Sequence, residues 1–179
     1  GQISRDSERK LVMGGVEMLS SRIFSDDTAY VALGHLHFAQ AVGGEHIRYS
    51  GSPLPMSFSE LNYPHQVVMV EIHHGQLQTM TPLLVPRSVP LQRIPSQPQA
   101  IEHVLTLLAA QDWPSSTPDY LQPYLQVRVL LDKPEPSLRS KIEQVLENKG
   151  VRLVKIESSY KGREQNQETA FLSLEDVQK

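Results

Sequence analysis

Tyr30-Val31-Ala32-Leu33 runs straight into Gly34-His35-Leu36-His37, and these eight residues decide how the chain is read. A short apolar run that ends at a glycine predicts a strand whose tip turns. Two histidines placed two apart at that tip bring imidazoles to one edge of a sheet. Neutral imidazole binds transition metals well. In an extended segment alternate residues share a face, so His35 and His37 are expected to point the same way, with Leu36 pointing away. Spacing this tight suits two cations about 3.5–4 Å apart, the arrangement that clamps a phosphoryl group during in-line attack.

The composition bounds what surrounds this motif. The chain has 179 residues, room for one domain or two small ones, and its 39% hydrophobic and 21% charged residues are those of a globular protein. No apolar run approaches the roughly 20 residues that span a bilayer. The absence of cysteine excludes disulfides, zinc ribbons and thiol catalysis, and it fits a reducing compartment. A net charge of −3 gives no bulk attraction for nucleic acid. Residues 1–86 carry 5 basic and 8 acidic groups, whereas residues 87–179 carry 12 of each. Lys149, Arg152, Lys155, Lys161 and Arg163 fall close together, interrupted by Glu157 and Glu164. A solvated face is the simpler reading of that cluster, and a phosphate-contacting edge the sharper one.

Outward from the motif, a strand is expected at 11–13, helical turns over 16–24, and strands at 30–33 and 45–49, the last preceded by the turn signal Gly43-Gly44. Residues 66–72 are β-branched and apolar. His73-His74-Gly75 predicts a turn back into 76–80, so that adjacent strands complete one sheet of a sandwich. Pro82, Pro86, Pro90, Pro95 and Pro98 punctuate the next stretch, and no long element is expected to cross it beyond a short strand at 89–94. Ile101, Val104, Leu105 and Leu108 recur at helical spacing and predict a helix over about 99–111. A strand follows at 124–131. A second helix follows through Leu138, Ile142, Val145 and Leu146, stopped at Asn148-Lys149-Gly150 with Gly150 at the left-handed position. With another strand at 151–157 this makes a parallel βαβ unit. The fold class is therefore α+β, divided into residues 1–86 and 87–179. A polar stretch over 161–170 and an apolar restart at Phe171 close the chain.

A second segment narrows the family: Tyr49-Ser50-Gly51-Ser52-Pro53-Leu54-Pro55-Met56-Ser57-Phe58-Ser59-Glu60. Together with residues 30–40 it resembles the end of the metallophosphoesterase domain of SbcD-type DNA repair exonucleases. In that family the last metal motif reads D-Y-(I/V)-A-L-G-H-(I/L)-H-x-x-Q, followed by Y-x-G-S-P-(I/L)-P-L-S-F-x-E. A lone G-H-x-H occurs across the calcineurin-like phosphoesterases; the second segment selects this branch. Ala29 stands where the family usually has Asp, and Phe38-Ala39 replaces a common basic-proline pair. The resemblance implies the end of a metallophosphoesterase β-sandwich followed by a small α/β capping domain that helps hold DNA.

What the resemblance implies for chemistry follows residue by residue. His35 binds one of two divalent cations, usually manganese, and His37 the other, with Gly34 letting the backbone turn close to them. Such a pair activates water against a DNA phosphodiester. A dinuclear site also needs carboxylates and further imidazoles, which the family draws from upstream motifs (D-x-H, G-D and G-N-H-D) that this sequence does not contain. The chain is thus expected to be a C-terminal portion with no catalytic residue of its own, no nuclease activity alone, and no bound metal required. The complete protein is expected to be a cytoplasmic exonuclease and endonuclease of DNA repair, recombination and replication. Its implied partners are DNA, an SbcC-type ATPase subunit that binds beyond Lys179, and a second copy, with no membrane.

Arg48, Tyr49 and Ser52 are candidate substrate contacts, though Arg48 and Tyr49 also fit outward strand positions. Ser52 lacks a base at triad spacing, and Gly51-Ser52-Pro53 is expected to support the metal loop. His46 and His65 lie near the motif segments, where they could approach the site, although a surface role is the simpler reading; His103 is read as ordinary surface. His73-His74 is expected to diverge, as neighbours on a strand do. Two other functions compete: a cap that binds DNA or a partner without catalysis, and a calcineurin-like phosphoesterase for small phosphodiesters.

Overall fold

A computed structural model describes residues 23–25 and 27–161. The expectations for 11–13, most of 16–24, and everything after 161 lie outside the described residues. The chain divides into two compact units, Gly1–Arg87 and Ser88–Lys179.

In the first unit, β1 (Val31–Leu33), β2 (Gln40–Val42) and β3 (Gly44–Tyr49) form a sheet in the order β1-β3-β2. The central β3 is parallel to β1 and antiparallel to β2. The three-residue β2 is too short for an alternation signal, so the sequence showed only its turn. That turn is made at Gly43, whose φ of +78° favours glycine. β4 (Gln66–His73) and β5 (Gln76–Leu84) form a separate antiparallel hairpin. Its two-residue loop has positive φ at both His74 (+50°) and Gly75 (+74°), the pattern that matches the twist of the paired strands.

A continuous run of adjacent strands was expected here, and β3 and β4 are not neighbours in a sheet. Residues 50–65 instead hold a tight 3-10 turn at Phe58–Glu60, which no hairpin geometry accommodates. Pro82 lies inside β5, opposite Val68. A two-stranded sheet consists of edges, and edges tolerate proline.

The second unit alternates strand and helix: β6 (Leu91–Ala100), α1 (Ile101–Ala109), β7 (Tyr124–Leu131), α2 (Leu138–Leu146) and β8 (Arg152–Tyr160). The three strands lie in the order β6-β7-β8, all parallel. α1 packs on β6, β7 and α2, which places both helices on one face, as successive crossovers of one hand require. The alternate residues Leu125, Val127, Val129 and Leu131 of β7 meet Val104 and Leu108 of α1 and Ile142 and Leu146 of α2 in one buried cluster. Trp113 completes it and donates its indole N–H to Gln92 Oε1 at 2.9 Å. The mixed α+β class and the parallel βαβ unit are as expected.

Three details differ from expectation. β6 does cross the proline-rich stretch. Its ladder with β7 breaks between Ile94 and Gln99, so Pro95 and Pro98 fall where no donor is required. α1 begins at Ile101 because β6 holds the backbone extended through Ala100. At the end of α2 the left-handed position is taken by Asn148 (φ +62°), a residue that tolerates it. Gly150 is required for a different reason: a Cβ there would lie 2.1 Å from the Pro114 carbonyl oxygen.

The basic cluster is largely engaged within the unit. Lys149 Nζ donates to the Ala109 and Gln111 carbonyls at the end of α1. Arg152 stacks on Tyr124, 4.0 Å from the ring centroid, and Lys161 pairs with Asp132 at 2.9 Å. Glu157 binds Arg128 and buried Gln126, so it holds the sheet's polar face together.

Candidate functional site

Strand register brings the histidine loop to the end of β3. Tyr49 is paired with Leu33 on one side and Gln40 on the other. The loop 34–39 therefore bridges β1 and β2 across the point where β3 leaves the sheet as Ser50-Gly51-Ser52. At that crossing the Ser52 amide donates to the His37 carbonyl at 3.1 Å. Gly51 sits beneath it with φ +85°, and a Cβ there would lie 3.1 Å from the His37 oxygen and from Ala39. No larger residue fits without displacing the loop, which is the support expected of Gly51-Ser52-Pro53.

The Phe58–Glu60 turn supplies the counterpart. Ser57 caps it by accepting from the Ser59 amide, and Phe58 is buried beside it. The turn aims Glu60 inward, where the side chain has no solvent exposure. Glu60 Oε1 lies 2.8 Å from His37 Nδ1, and Oε2 accepts from the Met56 amide at 3.0 Å. Burying a carboxylate costs several kcal/mol unless each oxygen finds a donor, and here both do. Phe38 packs edge-on against Tyr63, with ring centroids 4.9 Å apart, and so clasps the loop to the same turn.

His65 braces the arrangement. It is 6% exposed, so the surface role expected for it is corrected. Its Nδ1 lies 3.2 Å from the Ser52 carbonyl and its Nε2 3.2 Å from the Glu60 carbonyl. His37, Ser52, His65 and Glu60 thereby lie in one closed ring of polar contacts, in which a neutral His65 donates to one of the two carbonyls it faces. Spacing in the chain gave no hint of this, because the contacts join residues 5, 13 and 23 positions apart, with no repeating period.

His35 is exposed and takes φ +81°. The loop is not extended there, so the argument that alternation puts both rings on one face does not apply. The turn is also made at His35 and not at Gly34, around which a Cβ would meet nothing within 4 Å. A positive φ on histidine is uncommon and costs of order 1–3 kcal/mol, strain that concentrates at functional loops.

A neutral imidazole that donates from Nδ1 to a carboxylate keeps its lone pair on Nε2, the state in which histidine ligates a metal. His37 fits a ligand in this respect. Among the described residues no group of three or more His, Cys, Asp or Glu side chains is placed to hold an ion. The donors here suit a share of a site and not a whole one.

The remaining candidates fall as follows. Arg48, next to the end of β3, turns its guanidinium to Met80 Sδ at 3.5 Å and Glu45 at 3.5 Å, with Nε buried and unbonded. Tyr49 is half-buried at the end of the strand. The Ser52 hydroxyl donates to the Leu54 carbonyl. His46 is half-buried, and His103 is exposed on α1. The His73 and His74 rings do not diverge: they touch edge-on with centroids 4.0 Å apart, because His74 is in the turn and not on the strand. Glu60 is the residue that sequence reasoning passed over. Its place at the end of the Ser-Phe-x-Glu segment was the available signal.

The sequence profile of the SbcD C-terminal domain, described as the type 5 capsule protein repressor C-terminal domain, matches residues 87–179. The chain belongs to this family. The family resemblance read from residues 30–60 is thereby borne out by a different part of the sequence. The SbcD component of the SbcCD nuclease of Rhodobacter capsulatus is 36% identical over 157 residues, covering 86% of this chain and 37% of that protein. Its counterpart in Escherichia coli K12 is 30% identical over 186 aligned positions, 99% of this chain and 44% of the relative. That of Bacillus subtilis is 41% identical over 88 residues, 48% of this chain and 22% of the relative. The chain spans less than half the length of these SbcD relatives. No helix among the described residues is long and apolar enough to cross a membrane.

Proposed function

We propose that this chain is the C-terminal part of the nuclease subunit of an SbcC/SbcD-type complex. In that reading His35 and His37 lend two imidazoles to a pair of divalent cations, manganese by preference, whose other ligands come from the rest of the subunit. The first unit ends a metallophosphoesterase sandwich, and the second is a small α/β capping domain that helps hold DNA. The names of the relatives support a nuclease role and an SbcC-type partner; that this partner is an ATPase and that a second copy of the subunit joins it complete the proposed assembly.

One observation carries the reading: His37 is bonded through Nδ1 to a fully buried carboxylate, the partner that metal-ligating histidines characteristically have. When bound, the cations would supply an activated water and charge neutralisation at a DNA phosphodiester. The chain's own contribution is to hold the imidazoles in place. Glu60 orients the His37 ring, Ser52 fixes its backbone, and Gly51 leaves the room that the loop occupies.

Two assays on linear duplex DNA with manganese test this. The isolated chain is expected to cleave nothing, and cleavage by it would contradict the shared-site reading. In the complete subunit, His37→Ala is expected to lower cleavage by more than the roughly 10–100-fold typical of outer-sphere partners. Undiminished cleavage by that variant would remove His37 from the site.

A further inference from the structure

We infer that Glu60 is the positioning residue of His37: it holds the ring in the Nδ1–H tautomer and so presents the Nε2 lone pair to a cation. The inference rests on the cation-ligand reading of His37 given above, and it adds the group that makes this histidine a ligand.

The two oxygens of Glu60 have different partners. Oε1 faces His37 Nδ1 at 2.8 Å and Oε2 takes the Met56 amide at 3.0 Å. A carboxylate has only acceptors, so the proton between Glu60 and a neutral His37 belongs to Nδ1. Neither partner is placed to swing away. The Glu60 carbonyl accepts from the Tyr63 amide at 2.9 Å and faces His65 Nε2 at 3.2 Å, while the His37 carbonyl accepts from Ser52. His65 also faces the Ser52 carbonyl, so one buried ring lies between both arms. The carboxylate and the imidazole are 23 positions apart in sequence and meet through this circuit.

The chemistry makes Glu60→Gln the discriminating variant. Glutamine has the same shape but one oxygen and one amide NH2. The Met56 amide can only donate, so the glutamine oxygen goes to it and the NH2 faces His37 Nδ1. His37 must then accept at Nδ1 and carry its proton on Nε2, where a cation would otherwise bind. The substitution reverses the tautomer while leaving the packing in place.

The test uses the full chain with 15N-labelled histidine at pH 8, read by long-range proton–nitrogen correlation. The wild-type His37 is expected as Nδ1–H and Glu60→Gln as Nε2–H, with the other histidines unchanged. Adding Mn2+ is expected to broaden the wild-type His37 resonances, and to require about 10–100-fold more metal in the variant. A wild-type His37 that carries its proton on Nε2 overturns the inference by itself, even if the variant does not fold. An unchanged tautomer in Glu60→Gln overturns it too, and Mn2+ broadening in both proteins would then leave the cation reading standing. A reversed tautomer with no broadening of the wild type supports Glu60 as the positioning residue, and the cation reading is then decided in the complete subunit, where undiminished cleavage by His37→Ala overturns it.

Discussion

The two units are stabilised internally by opposite means. The second buries Val104, Leu108, Leu125, Val127, Val129 and Ile142 completely, in one cluster between a parallel sheet and two helices. Among the described residues of the first, the buried apolar side chains are Ile47 and Phe58, and the buried polar ones are Glu60, His65 and Gln66. Its hairpin leaves Val67, Met69, Ile72, Leu83 and Leu84 exposed. One unit follows the ordinary pattern of apolar burial. The other uses hydrogen bonds to hold a histidine loop in a strained conformation.

The contrast can be broken most forcefully in the second unit. Leu108→Ala is expected to cost roughly 2–5 kcal/mol, since a fully buried leucine leaves a cavity among rigid neighbours. The chain's single tryptophan, Trp113, is in the same cluster, so a urea titration followed by its fluorescence reads this directly. A loss under about 1 kcal/mol would mean that apolar packing is not what holds the unit.

His65→Leu is the matching experiment in the first unit. It keeps the bulk and removes the ring nitrogens that face the Ser52 and Glu60 carbonyls. A cost of about 1–3 kcal/mol is expected, with faster amide exchange at Ser52 and Glu60. A neutral or stabilising outcome would make the unit apolar in kind, like its neighbour in sequence.

Gly51→Ala sharpens the comparison at smaller cost. The φ of +85° and the 3.1 Å contacts predict about 1–2 kcal/mol, together with a displaced His37 resonance. Stability lost without any change at His37 would separate the glycine from the histidine loop.

The smallest effect is a surface one in the second unit. Glu135 is held below the usual carboxylate range, first by the Ser137 hydroxyl and then by Lys141. A depressed folded-state value means that the contribution is present above the unfolded pKa and lost as pH falls through the folded one. Ser137→Ala should therefore lower the melting temperature slightly at neutral pH, and the difference should vanish in acid once Glu135 is protonated. A difference that persists at low pH would assign the effect to the start of α2 and not to the carboxylate.

How much was legible follows the same division. In the second unit, Leu125 to Leu131 alternate and Leu138, Ile142, Val145 and Leu146 repeat at helical spacing, and the structure uses each of these stripes as core or against it. In the first, the hairpin was legible over 66–80 from β-branched residues and a glycine turn, and the structure extends its second strand through Pro82 to Leu84. β2 was not, because three residues carry no period. The motif Gly34 to His37 is legible but its conformation is not: the positive φ sits on His35, whereas residue type alone points to glycine.

Local periodicity and motif spacing were therefore enough to determine the α+β class, the βαβ order and the two imidazoles of the loop, since these depend on neighbours within a few residues. Tertiary structure alone decided that Glu60 meets His37, that His65 is buried between two carbonyls, and that β4 and β5 form a sheet separate from that of β3. A hydrogen bond between loops leaves no repeating trace in a sequence. It exists because the chain, once folded, brings a buried carboxylate to the donors that can satisfy it.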